Sequence, residues 1–243
     1  MGLQEDAPRP REPIFNVPAS VVVLIGLLAA AHAARVLSPA AVSDRILDEY
    51  ALNPVVYSAQ ALRSLGTGMP SLFDRIVPVF SHMALHADLT HIAINCVWLL
   101  AFGPVIARRF GGPAFFLFFV LCGLAGAACF VALDWGQNVG AIGASGAISG
   151  LMGGAIRMMR IREPSLNAAT LPLQPLFSSQ VLSFSAVWLV VNFITGIVGI
   201  GVSGSLQAIA WQDHLGGYLA GLLLAGPFEH YVGLSAKLRR HGA

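Results

Sequence analysis

The chain has 243 residues, of which 56% are hydrophobic and 11% charged, and its formal net charge is +2. An ordinary soluble domain carries about 25% charged residues, so this sequence lacks the polar coat that a soluble fold of its length requires. The small, diffuse positive charge also excludes an electrostatic footprint for nucleic acid.

Residues 1–18 read as a tail. Its start, MGLQEDAPRPREP, mixes acidic and basic residues and lacks the basic, apolar, small-residue order of a cleaved signal. Asp6 also breaks the myristoylation pattern. Six apolar segments follow, over about 19–36, 85–106, 114–133, 144–157, 181–202 and 212–228, and residues 231–243 form a second tail. A helix needs roughly 20 apolar residues to cross the hydrocarbon core. The fourth segment is short, so its outer end is expected in a water-filled cavity inside the bundle. The long connection 37–84 carries Asp44, Arg45, Asp48, Glu49, Arg63, Asp74 and Arg75. No internal repeat is evident, so 19–230 reads as one membrane domain. Cys96, Cys122 and Cys129 all fall in apolar stretches. They read as core residues rather than a disulfide framework. The Phe115, Phe116, Phe118 and Phe119 cluster reads as lipid-facing or packing surface, and Gly226-Pro227 as a helix end.

Basic residues stay cytoplasmic in short loops. Arg108 and Arg109 follow the second segment, Arg157, Arg160 and Arg162 the fourth, and Lys237, Arg239 and Arg240 the sixth. The loops after segments three and five contain no Lys or Arg. Both termini are therefore expected in the cytoplasm and the connection 37–84 outside. The expected location is the plasma (inner) membrane of a bacterium.

Polar side chains inside spans are costly and call for a reason. Four stand out: His91, Asn95, Ser145 and His214. His91 and Asn95 are four apart and share a helix face. Asn95, Ser145 and His214 lie 13, 12 and 15 residues before Arg108, Arg157 and Glu229. At about 1.5 Å per helical residue, all three sit roughly 18–22 Å above the inner boundary. In a core about 30 Å thick that is one layer, roughly 10 Å below the outer surface. The steps Gly146, Gly150, Gly154 and Gly217, Gly221 are small-xxx-small faces, which let membrane helices pack nearly backbone to backbone. Ser145 Oγ is then expected within about 2.6–3.2 Å of a His214 ring nitrogen.

His86-Ala-Asp-Leu-Thr-His91-Ile-Ala-Ile-Asn95, Gly143-Ala-Ser145-Gly146 and His214-Leu-Gly-Gly217 together resemble the rhomboid intramembrane serine proteases, in order and spacing over the whole six-helix core. The resemblance implies an all-α integral membrane fold: a six-transmembrane-helix bundle with a water-accessible cavity open to the outside. It implies Ser145 as nucleophile and His214 as general base. It further implies oxyanion stabilisation by the Ser145 N–H, His91 and Asn95, and a water-holding site shaped by His86. Gly143 and Gly146 belong to the same site-shaping motif. Arg75 looks like the Arg of the family's Trp-Arg pair, but Asp74 precedes it here. Many relatives carry an aromatic four residues after the nucleophile; here the residue is Ser149, so other contacts are expected to hold His214.

A serine becomes a nucleophile when a base takes its proton, and histidine does so near neutral pH. Asp213 adjoins His214, but neighbours on a helix point about 100° apart, which argues for a dyad over a triad. His82, His86 and His91 raise the question of a metal. No HExxH motif and no carboxylate helix accompanies them, so neither a metal nor a cofactor is expected. His82 reads as a loop or interface residue, and His32 as structural or interfacial. Expected partners are single-span membrane protein substrates and the lipid bilayer, with no nucleic acid. The competing reading is a non-catalytic rhomboid-like protein that binds membrane clients, although such proteins typically lack the Ser or the His.

Overall fold

The computed structural model describes residues 16–159, 171–198 and 210–241. The basic residues Arg160 and Arg162 and the end of the fifth segment, 199–202, lie outside the described residues. Among the described residues the architecture is helical throughout. The helices are α1 (Ala19–Val36), α2 (Ala40–Tyr50), α3 (Ala59–Ser64), α4 (Leu72–Ser81), α5 (Leu89–Phe110), α6 (Gly112–Leu133), α7 (Ser145–Met158), α8 (Ser179–Val198) and α9 (Trp211–His241). Four are long and apolar enough to cross a membrane: α1, α5, α6 and the Ser179–Gly196 part of α8. α6 is the most apolar, with a mean hydropathy of 2.6. These apolar helices mark an integral membrane protein.

Local chemistry fixes the boundaries that matter for the site. Asp88 precedes α5, and its carboxylate accepts from the His91 N–H at 2.8 Å. That cap starts the helix at Leu89, so His86 lies in the turn ahead of it rather than inside a segment beginning at residue 85. Gly111, at φ 82°, ends α5 in a conformation that L side chains avoid, and Pro113 follows in the first turn of α6. At the other end of the chain, α9 does not stop at Gly226-Pro227 but continues to His241. Proline is tolerated within a membrane helix when neighbours satisfy nearby backbone groups. Here Arg157 Nη1 donates to the Leu222 carbonyl at 2.7 Å, one turn earlier.

α7 is the centre of the bundle. Of its 14 residues only Ser145 and Arg157 escape burial. It packs on α5, α6 and α9, with α8 alongside. At about 1.5 Å per residue it is roughly 21 Å long, too short for a 30 Å core. The backbone of Gly217 meets the Gly146 carbonyl, and that of Gly221 meets the Gly150 carbonyl. Gly154 does not belong to this seam; it faces Ile106 and Phe118, and Gly153 faces Tyr218 and Leu222 instead. The seam steps by four and then three residues, because 3.6 residues per turn drift away from a strict fourth-residue line.

The connection 37–84 is not an open loop. It folds as α2, α3 and α4, and Leu52 bridges Ala141 in antiparallel fashion through bonds of 3.0 and 2.8 Å. That bridge pins the segment that enters α7. Phe115, Phe118 and Phe119 are buried in the main core, against Phe110, Phe228 and Leu151 among others.

Candidate active site

α7 begins at Ser145, and the two residues before it set its approach. Gly143 has φ 126°, a conformation reserved for glycine, and its N–H donates to the His82 carbonyl at 2.9 Å. A Cβ on Gly143 would lie 2.8 Å from His91 Nε2 and 3.5 Å from Ser145 Oγ. The missing side chain therefore keeps open the space between the imidazole of His91 and the hydroxyl of Ser145. His82 is not a loop or interface residue. It is 1% exposed, and its Nδ1–H donates to the Pro78 carbonyl at 2.9 Å while its own carbonyl holds Gly143.

Ser145 Oγ lies 2.7 Å from His214 Nε2. The two residues come from different helices, and the glycine contacts between α7 and α9 allow the approach. The other ring nitrogen, His214 Nδ1, lies 2.8 Å from Asn192 Oδ1 on α8. Asp213 turns away from this row. Its carboxylate lies against Gly146, whose N–H it accepts, and Asp213 Oδ1 is 3.9 Å from His82 Nε2. The N-cap residue of α7, Ala144, offers no side-chain cap, so a carboxylate borrowed from α9 serves the first turn.

His91 and Asn95 share the inner face of α5. The Ala87 N–H donates to His91 Nδ1 at 3.4 Å. A neutral imidazole that accepts at Nδ1 carries its hydrogen at Nε2, the atom nearest Gly143. Asn95 is buried; its Nδ2 donates back to the His91 carbonyl at 2.9 Å, and its Oδ1 has no partner among the described residues. The His86 ring is fully buried, edge-on to His91 at 5.1 Å and to His32 at 6.5 Å. Its Nε2 accepts a long bond, 3.5 Å, from the Ala144 N–H, and its buried Nδ1 has no partner among the described residues. His32 is thus an inner neighbour of His86 rather than an interfacial residue.

Sequence reasoning passed over two residues. Arg35, in the last turn of α1, is buried; it donates to Ser43 Oγ at 2.8 Å and to the carbonyls of His86 and Ala87 at 2.7 and 2.8 Å. It clamps the turn that carries His86. Asn192 is a buried amide in an apolar helix, and the rule that singled out Asn95 applies to it equally. Arg75, in α4, offers its carbonyl to Tyr57 Oη at 2.6 Å. Ser149 is buried in α7, and Ser185 bonds Tyr218 Oη at 2.8 Å beneath a Trp188–Tyr218 stack at 4.1 Å.

A family model described as the Rhomboid domain matches residues 74–229. A curated relative, RHOMBOID-like protein 4 of Arabidopsis thaliana, is 29% identical over 140 residues, which cover 58% of this chain. The match spans 31% of that relative's own length. The matched region runs from α4 into α9 and so contains Ser145 and His214 together with His82, His86, His91, Asn95, Gly143, Asn192 and Asp213, while Arg35 and His32 lie outside it. This chain belongs to the rhomboid family.

Proposed function

We propose that the protein is an intramembrane serine endopeptidase that cleaves transmembrane or membrane-proximal segments of other membrane proteins with a Ser145–His214 dyad. The 2.7 Å contact between Ser145 Oγ and His214 Nε2 carries this reading. His214 takes the hydroxyl proton as Oγ attacks the peptide carbonyl, then returns it to the leaving amine; water repeats the sequence on the acyl-enzyme. Ser145 is the first residue of α7, so its N–H is among the donors that a helix start leaves for an oxyanion. The Nε2–H of His91 faces the space that Gly143 leaves beside Ser145 Oγ, and Asn95, one turn further along the same face of α5, is proposed as a second donor. His86 would hold water there, since a buried ring nitrogen without a partner among the described residues calls for one.

The proposed topology has six spans, with α7 and α9 added to the four apolar helices. Residues 1–18 and 231–243 lie in the cytoplasm, 19–230 form the membrane domain, and the cavity opens outward. Three contacts support one cytoplasmic end. Arg108 bonds the Asn16 carbonyl, Arg109 pairs with Glu229 at 2.6 Å, and Arg157 bonds the Leu222 carbonyl at 2.7 Å. The starts of α5, α7 and α9 lie at the opposite end. Its substrates would be single-span membrane proteins.

The test is cleavage of a panel of single-span substrates by the purified protein in liposomes. Ser145→Ala and His214→Ala are each expected to lower kcat by about 10⁴–10⁶-fold with the fold intact. A Ser145→Ala variant that cuts as well as the parent overturns the proposal.

A further inference from the structure

Asn192 makes two hydrogen bonds whose directions are not free. Its Nδ2 lies 3.1 Å from the Trp211 carbonyl oxygen, and a carbonyl only accepts. The amide must therefore turn its NH₂ toward Trp211 and its Oδ1 toward His214. Oδ1 also only accepts, so His214 Nδ1, 2.8 Å away, must carry the hydrogen. In a neutral imidazole this leaves the lone pair on Nε2, the nitrogen 2.7 Å from Ser145 Oγ. The hydroxyl must then be the donor. A flipped amide would set two carbonyl oxygens 3.1 Å apart and push the ring hydrogen to Nε2, where it blocks proton transfer from serine.

We infer that Asn192 is a positioning residue for the reaction of Ser145: it holds His214 as the Nδ1–H tautomer, with the Nε2 lone pair aimed at the serine hydroxyl. The role in catalysis rests on the proteolytic reading above; the tautomer does not. Packing locks the amide in place. Asn192 is 7% exposed on a helix whose neighbouring Val190, Val191, Phe193 and Ile194 are more than half exposed. Gly196 closes on the Trp211 side chain, and Phe193 meets the Trp211 ring edge-on at 5.7 Å. When His214 takes the serine proton, the amide still accepts from Nδ1–H and takes no proton itself. Asn192 thus does the orienting that an aspartate does in a triad, without adding a buried charge.

Two measurements decide the matter. ¹⁵N spectra of histidine-labelled parent protein in detergent are expected to give His214 as the Nδ1–H tautomer, and Asn192→Leu as a mixture. In liposome cleavage assays, Asn192→Leu is expected to lower kcat by about 10²-fold with KM nearly unchanged, the low end of what a positioned general base contributes. Asn192→Asp keeps an acceptor at that place. It is expected to recover part of the loss and to move the acid limb of the pH–rate profile upward, since a carboxylate stabilises the imidazolium. An Nε2–H tautomer in the parent overturns the inference, whether or not Asn192→Leu folds. So does parental kcat in Asn192→Leu, or Asn192→Asp behaving like the leucine variant. Undiminished cleavage by Ser145→Ala would instead defeat the proteolytic reading and leave the tautomer to be read from the spectra.

Discussion

Ser145 and His214 lie far apart in sequence, yet their polar atoms sit 2.7 Å apart, so chemistry at this site depends on side chains that have no covalent reason to meet. The residues proposed to assist them, His91 and Asn95, stand on one face of α5. His91 offers Nε2–H because Ala87 occupies its Nδ1, and Gly143 leaves the space vacant. Asn95 is buried, its Oδ1 has no partner among the described residues, and its amide has a hydrogen beyond the one it gives to His91. Removing one oxyanion donor typically costs about 10²–10³ in rate. Asn95→Ala and His91→Ala are each expected to lower kcat in that range while leaving KM for a single-span substrate within about threefold, as loss of an interaction made only in the transition state requires. Steady-state cleavage in liposomes measures both parameters. An effect confined to KM would place these residues in substrate binding instead.

Among the elements, the α7–α9 seam holds the hydroxyl and the imidazole together. A Cβ on Gly217 or Gly221 would fall on the carbonyl oxygen of Gly146 or Gly150, and a backbone oxygen cannot swing aside as a side chain can. Overpacking in a tight interior costs about 1–3 kcal/mol, and the helices would have to separate. Gly217→Ala and Gly221→Ala are therefore expected to lower the melting temperature in detergent and to reduce cleavage more than ten-fold. Gly26→Ala, with nothing among the described residues within 4 Å of the added Cβ, is expected to change neither. Much of this was legible in the sequence, since the glycine steps and the polar residues at one depth stand out against apolar surroundings. The Asp88 cap, the turn carrying His86 and the passage of α9 through Pro227 were not. They depend on contacts from Arg35, Arg157 and the Asp88 carboxylate that no periodicity reveals. Asn192 carried the same signal as Asn95, a polar residue in an apolar span, and only its contact with His214 shows what it is there for.

For the whole molecule, the site sits at one end of the bundle and a set of charged contacts at the other. Arg109 Nε and Nη2 grip both oxygens of Glu229, each at 2.6 Å, joining the end of α5 to α9. The Arg109 side chain is 4% exposed and that of Glu229 43%, so the pair is better shielded than surface pairs, whose median worth is about 0–1 kcal/mol. Glu229→Ala is expected to destabilise the fold by about 1–3 kcal/mol, as loss of a partner to a buried donor does, measured by denaturant unfolding in micelles. It should leave the geometry around Ser145 unchanged, so that cleavage per folded molecule stays near parental. Loss of activity without loss of stability would mean that the two ends of the bundle are coupled.

In the proposed reaction His214 makes Ser145 a nucleophile. The measurement that reads it most directly is peptide mapping of the protein after treatment with a fluorophosphonate in liposomes. One adduct is expected, on Ser145, and it disappears in His214→Ala although that variant remains folded. An adduct on another serine, or labelling of Ser145 that does not depend on His214, would contradict it.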